Sequence, residues 1–145
     1  MYIQTNYRPT KAVIDLQAIA SNIRSLRGHL QPDVQIIAVV KANAYGHGDI
    51  EVAKAAIQAG ATMLAVATPD EAVHMRTNFP DIDILILGAT PPNFIPYASK
   101  ENITLTVFSA DWINHANAYS PLPQSVKVHI KIDSGMGRIG VTTKE

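Results

Sequence analysis

Apolar and polar residues alternate along this chain in two patterns, which together repeat every roughly 20–25 residues. One pattern is a short apolar run rich in β-branched residues, which is typical of a buried strand. The other spaces apolar residues three or four positions apart and so places them on one face of a helix. The first such helix is predicted to end near Gly28 and Pro32. Its apolar face consists of Leu16, Ile19, Ile23, Leu26 and Leu30.

Five apolar runs predict five strands, at residues 35–41, 63–67, 82–87, 103–108 and 126–133. The first run, QIIAVVK, is apolar on both faces, so we expect it to be covered on both sides. Strands that alternate with helices pair in parallel through right-handed crossovers. The sequence therefore predicts an α/β protein with a parallel sheet. That sheet is either open and doubly wound or part of a closed barrel.

Capping signals place three of the intervening helices. Asp49 is a candidate N-cap for a helix over residues 50–59. The segment TPDE at residues 68–71 is a capping box with proline at the first helical position, so the next helix should run to about residue 77. Ser109 is a candidate cap for a third helix. Three prolines between residues 91 and 96 predict an irregular connection.

The last predicted strand, VKVHIKID, alternates apolar with polar side chains. The polar ones are Lys127, His129, Lys131 and Asp133. A strand in the middle of an open α/β sheet should be apolar on both faces, which this one is not. Either it is an edge strand with one wet face, or its polar side chains line a site inside a barrel. The pattern alone leaves both interpretations open.

Composition narrows the function classes. Hydrophobic residues make up 47% and charged residues 17% of the chain, which is typical of a folded domain. Twelve basic and twelve acidic residues cancel, so no long-range field draws nucleic acid or an anionic membrane. There is no cysteine for a disulfide or thiolate metal site, and no metal site is predicted. Residues 1–11 lack the apolar run of a signal peptide, so a soluble cytoplasmic protein is expected.

Lys41 ends an apolar run and is followed by a loop with two glycines and an aromatic residue. Ligands of parallel α/β folds bind at the carboxyl ends of the strands, where this lysine is predicted to lie. Partial desolvation would favour its neutral amine, which can form a Schiff base with an aldehyde. A lysine that merely extends from a strand end into water fits the same position.

Gly135–Gly140 reads GMGRIG and follows the last predicted strand, which matches the spacing of a dinucleotide fingerprint. That fingerprint usually opens the first unit of a fold rather than following its last visible strand. Arg138 within the run suggests a different role, donating hydrogen bonds to an anion. A nucleotide-binding module nevertheless remains an alternative function.

Together the two segments resemble the alanine racemase family. AVVKANAYGHG at residues 38–48 resembles its pyridoxal-phosphate lysine motif, and KIDSGMGRIG at residues 131–140 resembles its second signature. AVIDLQAIASNI at residues 12–23 resembles the family's N-terminus, so the resemblance covers essentially the whole chain. Ser134 stands where threonine is more usual and keeps the hydroxyl. Amino-acid decarboxylases of the same barrel type share only a shorter motif around the lysine, and a decarboxylase-like enzyme is a further alternative.

The resemblance implies roles for four residues. Lys41 would bind pyridoxal 5′-phosphate covalently and act as one of two catalytic bases, and Tyr45 would hydrogen-bond the cofactor phosphate. Arg138 would lie beside the phenolic oxygen of the cofactor and the substrate carboxylate. Lys131 would be the lysine that is carbamylated in many members of the family, where the negative charge of the carbamate orients the arginine that corresponds to Arg138. A carbamate–guanidinium pair facing a barrel interior would explain the polar face of the last strand.

The resemblance also implies an architecture and a reaction. Residues 1–145 would be the N-terminal part of a pyridoxal-phosphate-binding TIM-type (β/α) barrel, about five of its eight strands. The rest of the barrel and a C-terminal β domain would lie outside this chain. The reaction would be the racemisation of alanine by a cytoplasmic homodimer, which supplies D-alanine for peptidoglycan. The second base would be a tyrosine of the partner's C-terminal domain, so this chain alone should bind cofactor weakly and racemise negligibly.

Overall fold

The computed structural model describes residues 9–142, so most of the segment used for the signal-peptide prediction lies outside the described residues. Five strands form one parallel sheet in the order β1-β2-β3-β4-β5, which confirms the predicted parallel α/β fold. Each strand pairs with its neighbours in sequence, which is the order of a (β/α) barrel wall. The strands are β1 (Ile37–Val39), β2 (Met63–Val66), β3 (Asp83–Ile86), β4 (Ile103–Val107) and β5 (Val128–Ile130).

Helices precede β1 and connect the strands. They are α1 (Leu16–His29), α2 (Asp49–Gln58), α3 (Pro69–Asn78), α4 (Ile95–Lys100) and α5 (Ala110–Ala116). Short 3₁₀ turns lie at Pro92–Phe94 and Asn117–Tyr119. The described helices include none that is both long and apolar enough to cross a membrane.

The capping signals act as the sequence predicts, with one shift of a residue. Thr68 and Glu71 form a complete capping box at the start of α3, and Ser109 accepts the N–H of Trp112 at the start of α5. Helix α2 begins one residue earlier than predicted, because Gly48 is its cap and Asp49 its first residue. The predicted boundaries of these helices are therefore correct to within a residue or so.

Helix α4 contradicts the prediction of an irregular connection between β3 and β4. Pro96 is the second residue of this helix, where the missing N–H of proline would have no partner in the helix anyway. Its neighbours Ile95 and Ala98 are buried against the sheet. The proline cluster therefore starts a helix after one 3₁₀ turn instead of preventing one.

The helices cover one face of the sheet. The main core lies between that face and the helices; it combines Leu64, Ile84 and Leu105 of the strands with Ala53 and Met75 of the helices. On the opposite face the buried cluster contains strand residues only, Met63, Ala65 and Leu85. A doubly wound sheet has helices on both faces, whereas a barrel wall has them on the outside only. This layering favours the barrel and defines a helix-free face.

Strand β1 departs from the expectation that both of its faces are covered. Ile37 and Val39 remain 39% and 41% exposed. Their side chains alternate with that of Val40, which is 1% exposed and belongs to the core under the helices. Because β1 pairs only with β2 among the described strands, its residues on the helix-free face have few neighbours.

Arg76 holds together the amino-terminal edge of the sheet. Its guanidinium donates hydrogen bonds to the carbonyl groups of Phe79, Pro80 and Ile82, which precede β3, and of Asn102, which precedes β4. Burial lowers the pKa of this guanidinium, and nearby Asp83 counteracts the effect. The side chain thus joins the end of α3 to the starts of two strands, at the edge opposite to the loops described next.

Candidate active site

The loops at the carboxyl-terminal edge of the sheet form a cleft on the helix-free face. Two adjoining hollows, with volumes of about 240 and about 280 Å³, share Lys41, Leu87 and Arg138 in their walls. The first is completed by loop residues after β2 and β3, including Ala67 and Gly88. Parallel α/β folds bind ligands at this edge, so the cleft lies where a site is expected.

The cleft brings three of the four predicted site residues together. Lys131 lies far from Lys41 in the sequence, and yet it lines the second hollow together with Lys41 and Arg138. Tyr45 does not line either hollow and is 63% exposed. Its ring centroid lies 5.8 Å from the Nζ atom of Lys41, within range of a cation–π contact. Tyr45 is therefore a neighbour of the lysine beside the cleft.

Lys41 opens a turn whose backbone is left-handed. Residues Ala42 to Tyr45 have φ between 49° and 55° and ψ between 35° and 48°. None of the four is glycine, and each ordinary residue in this conformation costs about 1–2 kcal/mol. The left-handed turn (Lys41–Gly46) is closed by a hydrogen bond from the N–H of Ala44 to the carbonyl of Val40. Strain of this kind persists only where the surroundings stabilise it, and it is frequent at functional sites.

The glycine-rich segment holds Arg138 by folding back onto the end of β5. The Asp133 carboxylate accepts the N–H groups of Gly135 and Gly137 at 2.9 and 3.0–3.1 Å. These hydrogen bonds hold the pKa of Asp133 below its usual value, and the one from Gly135 has the largest effect. At Gly140, where φ is +128°, a Cβ atom would lie 2.8 Å from the Asp133 nitrogen. The return of the loop therefore requires glycine there.

This geometry does not provide the context of a dinucleotide fingerprint. Such a fingerprint leads into a helix whose N-terminus receives the pyrophosphate. After Gly140 the chain instead forms a parallel bridge between Val141 and Ile132, and no helix follows β5 in the described residues up to position 142. The glycines here make a tight loop that presents an arginine.

The charges around the cleft favour an anion. Lys41, Lys131 and Arg138 line the second hollow, and His129 lines it as well. Among residues 9–142, no acidic side chain lines either of the two hollows of the cleft. Within that range neither Lys131 nor Arg138 forms an ion pair. This donor set fits a phosphorylated aromatic aldehyde, since an amine can bind the aldehyde and the cations can balance its anionic groups.

The polar face of β5 is the helix-free face. His129 and Lys131 line the cleft, whereas Val126 and Val128 line a hollow beneath α4 and α5. The interpretation in which the polar face lines a site therefore agrees with the structure, and β5 is at the same time an edge strand of the described sheet. His129 has a place in the cleft that the sequence did not assign, although its position in the alternation was the available signal.

A larger hollow of about 660 Å³ lies elsewhere, between the 3₁₀ turn after β3 and α5. Its walls include Phe108, Trp112 and Tyr119 and contain no lysine or arginine. It offers no amine for covalent attachment and no cation for a phosphate. Size therefore does not identify the reactive site in this molecule, and the smaller cationic cleft is the better candidate.

Comparison with known proteins assigns the sequence to a family. The sequence profile of the family described as alanine racemase, N-terminal domain, matches residues 14–145. An alanine racemase from Anoxybacillus flavithermus is 55% identical over 141 residues, which is 96% of this chain and 37% of that protein. This chain thus spans little more than a third of the curated relatives that it matches.

Solved structures show the same relationship. The crystal structure of alanine racemase from E. faecalis superposes with a TM-score of 0.87 at 39% identity, covering 97% of this chain and 38% of that one. That of alanine racemase from Bacillus anthracis with bound L-Ala-P gives a TM-score of 0.83 at 45% identity, covering 88% of this chain and 33% of that one. The sheet and its helices are therefore a segment of the barrel of these enzymes, and the chain belongs to the alanine racemase N-terminal domain family.

Proposed function

We propose that residues 1–145 form the N-terminal part of the pyridoxal 5′-phosphate-binding barrel of an alanine racemase, which interconverts L- and D-alanine. The observation that carries the proposal is the meeting of Lys41, Lys131 and Arg138 in one cleft at the carboxyl edge of a parallel sheet. The similarity to racemases over 96% of the chain supports the same assignment.

Lys41 is the residue that binds the cofactor and moves a proton. When bound, pyridoxal phosphate supplies an electron sink that makes the Cα–H bond of the amino acid acidic. The Nζ atom of Lys41 takes the proton from D-alanine on one face, or returns it there. The side chain is half-buried and shares a wall of the cleft with the apolar Leu87, which places its amine beside the space that the cofactor would fill.

Arg138 and Lys131 form the anion-binding side of the cleft. The Arg138 guanidinium would hold the phenolic oxygen of the cofactor and the substrate carboxylate through charge-assisted hydrogen bonds. The neutral amine of Lys131 would add carbon dioxide and lose a proton to form a carbamate, whose negative charge would pair with Arg138 where two adjacent cations would otherwise repel each other. Tyr45, beside the cleft on the left-handed turn, would donate its hydroxyl hydrogen to the cofactor phosphate.

Racemisation needs a second base on the opposite face, and the family resemblance assigns it to a tyrosine in the C-terminal domain of a partner subunit. The whole protein would accordingly be a cytoplasmic homodimer whose product, D-alanine, enters peptidoglycan. We expect the 145-residue chain by itself to bind the cofactor at Lys41 but to racemise alanine negligibly.

Covalent trapping tests the cofactor assignment. The chain is incubated with pyridoxal 5′-phosphate, reduced with borohydride and digested, and each lysine-containing peptide is quantified by mass spectrometry. We expect the label to concentrate on Lys41 and to disappear in Lys41→Arg, which keeps the charge but cannot form the bond. Lys100→Arg is the matched control, because the side chain of Lys100 is 75% exposed and far from the cleft in the fold.

Two results would contradict the proposal. Equal labelling of Lys41 and Lys100 would show that the cleft does not recognise the cofactor. Turnover of L-alanine by the 145-residue chain at the rate of a complete racemase would show that the second base lies within this chain.

A further inference from the structure

The carboxylate of Glu71 joins the ends of two neighbouring strands beside Lys41. Its Oε1 atom accepts the N–H of Ala42 at 2.8 Å, and its Oε2 atom accepts the N–H of Ala67 at 2.6 Å. Ala42 follows Lys41 after β1, and Ala67 lines the cleft after β2. Glu71 itself belongs to the first turn of α3, 29 residues from Ala42.

The capping box does not account for this arrangement. Its two reciprocal hydrogen bonds, between Glu71 and Thr68, are both 3.3 Å long. The contacts to Ala42 and Ala67 are shorter by half an ångström or more, in the range of charge-assisted hydrogen bonds. The carboxylate is therefore directed mainly at the strand ends, and the helix cap is its secondary contact.

Glu71 continues the β1–β2 ladder where the ladder itself stops. The last ladder hydrogen bond runs from the N–H of Val40 to the carbonyl of Ala65. Beyond it the chain turns left-handed, so the N–H of Ala42 points away from the strand ladder and needs another acceptor. That N–H belongs to the peptide unit that Lys41 forms with Ala42, and fixing this unit fixes the direction in which the lysine leaves the sheet.

We propose that Glu71 is a positioning residue for Lys41: it holds the strained left-handed turn against β2 and so aims the amine into the cleft. The inference deepens the proposed function and rests on it for the role of Lys41. Glu71 lines neither hollow of the cleft, and it acts through the backbone N–H groups of Ala42 and Ala67.

Three variants separate this role from general stabilisation. Glu71→Gln keeps the shape but turns one of the two contacts into a donor facing a donor. Thr68→Val removes the hydroxyl of the capping box and leaves the carboxylate in place. Glu51→Gln repeats the amide substitution on α2, where Glu51 pairs only with Lys54 in an exposed i,i+3 contact.

Hydrogen exchange, cofactor trapping and the melting temperature are measured on each variant of the chain. Amide hydrogen exchange of the peptide that contains residues 41–48 reports the turn without any cofactor. Pyridoxal-phosphate trapping reports the ratio of label on Lys41 to label on Lys100, together with the circular dichroism induced in the cofactor absorption. We expect Glu71→Gln to exchange Ala42 about tenfold faster and to lower the labelling ratio several-fold. Thr68→Val should lower only the melting temperature, and Glu51→Gln should change none of these measurements.

The outcomes are distinguishable from failure of the proposed function. Wild-type labelling and dichroism in a folded Glu71→Gln variant would overturn the positioning role, as would an equal loss of the ratio in Thr68→Val. If wild-type Lys41 takes no label, the proposed function fails. Hydrogen exchange still tests whether Glu71 holds the left-handed turn: faster exchange in Glu71→Gln supports that role, and unchanged exchange overturns it.

Discussion

Replacing Ala42 by glycine should stabilise this protein, although the same change in an ordinary helix is destabilising. Ala42 is the first residue of the left-handed run, with φ 52° and ψ 48°. Its side chain is exposed, so removing the methyl group uncovers no packed surface. Its N–H, which Glu71 accepts, is retained in the variant.

The expected magnitude is a difference between two opposing terms. Glycine removes the steric cost of a left-handed L-residue, about 1–2 kcal/mol. It also adds conformational entropy to the unfolded chain, which costs about 0.4–1 kcal/mol. The free energy of unfolding should therefore rise by about 0.5–1 kcal/mol. For a chain of this length that corresponds to an increase of about 1–4 °C in melting temperature.

Urea denaturation followed by far-UV circular dichroism measures the change, with Ala18→Gly as the control. Ala18 is equally exposed but lies in the first turn of α1, a right-handed helix. There glycine should lower the free energy of unfolding by about 0.5–1 kcal/mol. The two substitutions are chemically identical, so their opposite signs isolate backbone handedness.

A loss of stability in Ala42→Gly as large as that in Ala18→Gly would refute the reasoning. It would mean either that residue 42 is not left-handed in solution or that contacts of its methyl group outweigh the strain. An unchanged m-value is required for either comparison, since a change in m would indicate a different unfolded state.

Two further substitutions test the loops around the cleft. Gly88→Ala should lower the free energy of unfolding by about 1–3 kcal/mol, because its Cβ atom would lie 2.3 Å from the Ala67 carbonyl oxygen. Gly28→Ala is the control, because Gly28 lies in α1 with open space around it. This control should be neutral or stabilising in the same thermal melt. Asp133→Asn should flatten the acid limb of the stability profile. The lowered pKa of Asp133 means that its contribution is complete above the ordinary aspartate pKa of about 4 and is lost as pH falls through the folded value. The difference in free energy of unfolding between wild type and Asp133→Asn, measured by urea titration, should therefore become smaller as the pH is lowered. A difference that stays constant from neutral to acidic pH would contradict this.

Much of the scaffold was predictable because its signals are local. The Thr68–Glu71 capping box and the Ser109 cap are each read within four residues of sequence, and both helices start where those signals place them. The period-two pattern after Val126 likewise predicted a strand with one polar face. At this level the reading of Pro96 as a helix breaker was wrong, since proline is excluded from helix interiors and not from their first turn, and the cap assigned to Asp49 was one residue too late.

The details of the site were less predictable because they depend on distant contacts. Alanine-rich sequence around Ala42 favours a right-handed helix by propensity, and nothing local indicates the left-handed turn that tertiary contacts impose. Glu71 had a sufficient local explanation as a capping residue, so its contact with Ala42 was invisible in the sequence. The grouping of Lys41 with Arg138 came from family resemblance, because separation along the chain carries no information on proximity in space.

Arg76 and the cationic cleft occupy opposite rims of the same sheet. Four carbonyl groups converge on Arg76 at one rim, where Lys127 also pairs with Asp83 at 3.3 Å. The reactive lysine and its anion-binding neighbours occupy the other rim. Substitutions at the two rims therefore involve separate sets of residues that share no contacts, and their effects on stability should add. A change in the contacts of Arg76 can therefore alter thermal stability without touching a group that faces the cleft.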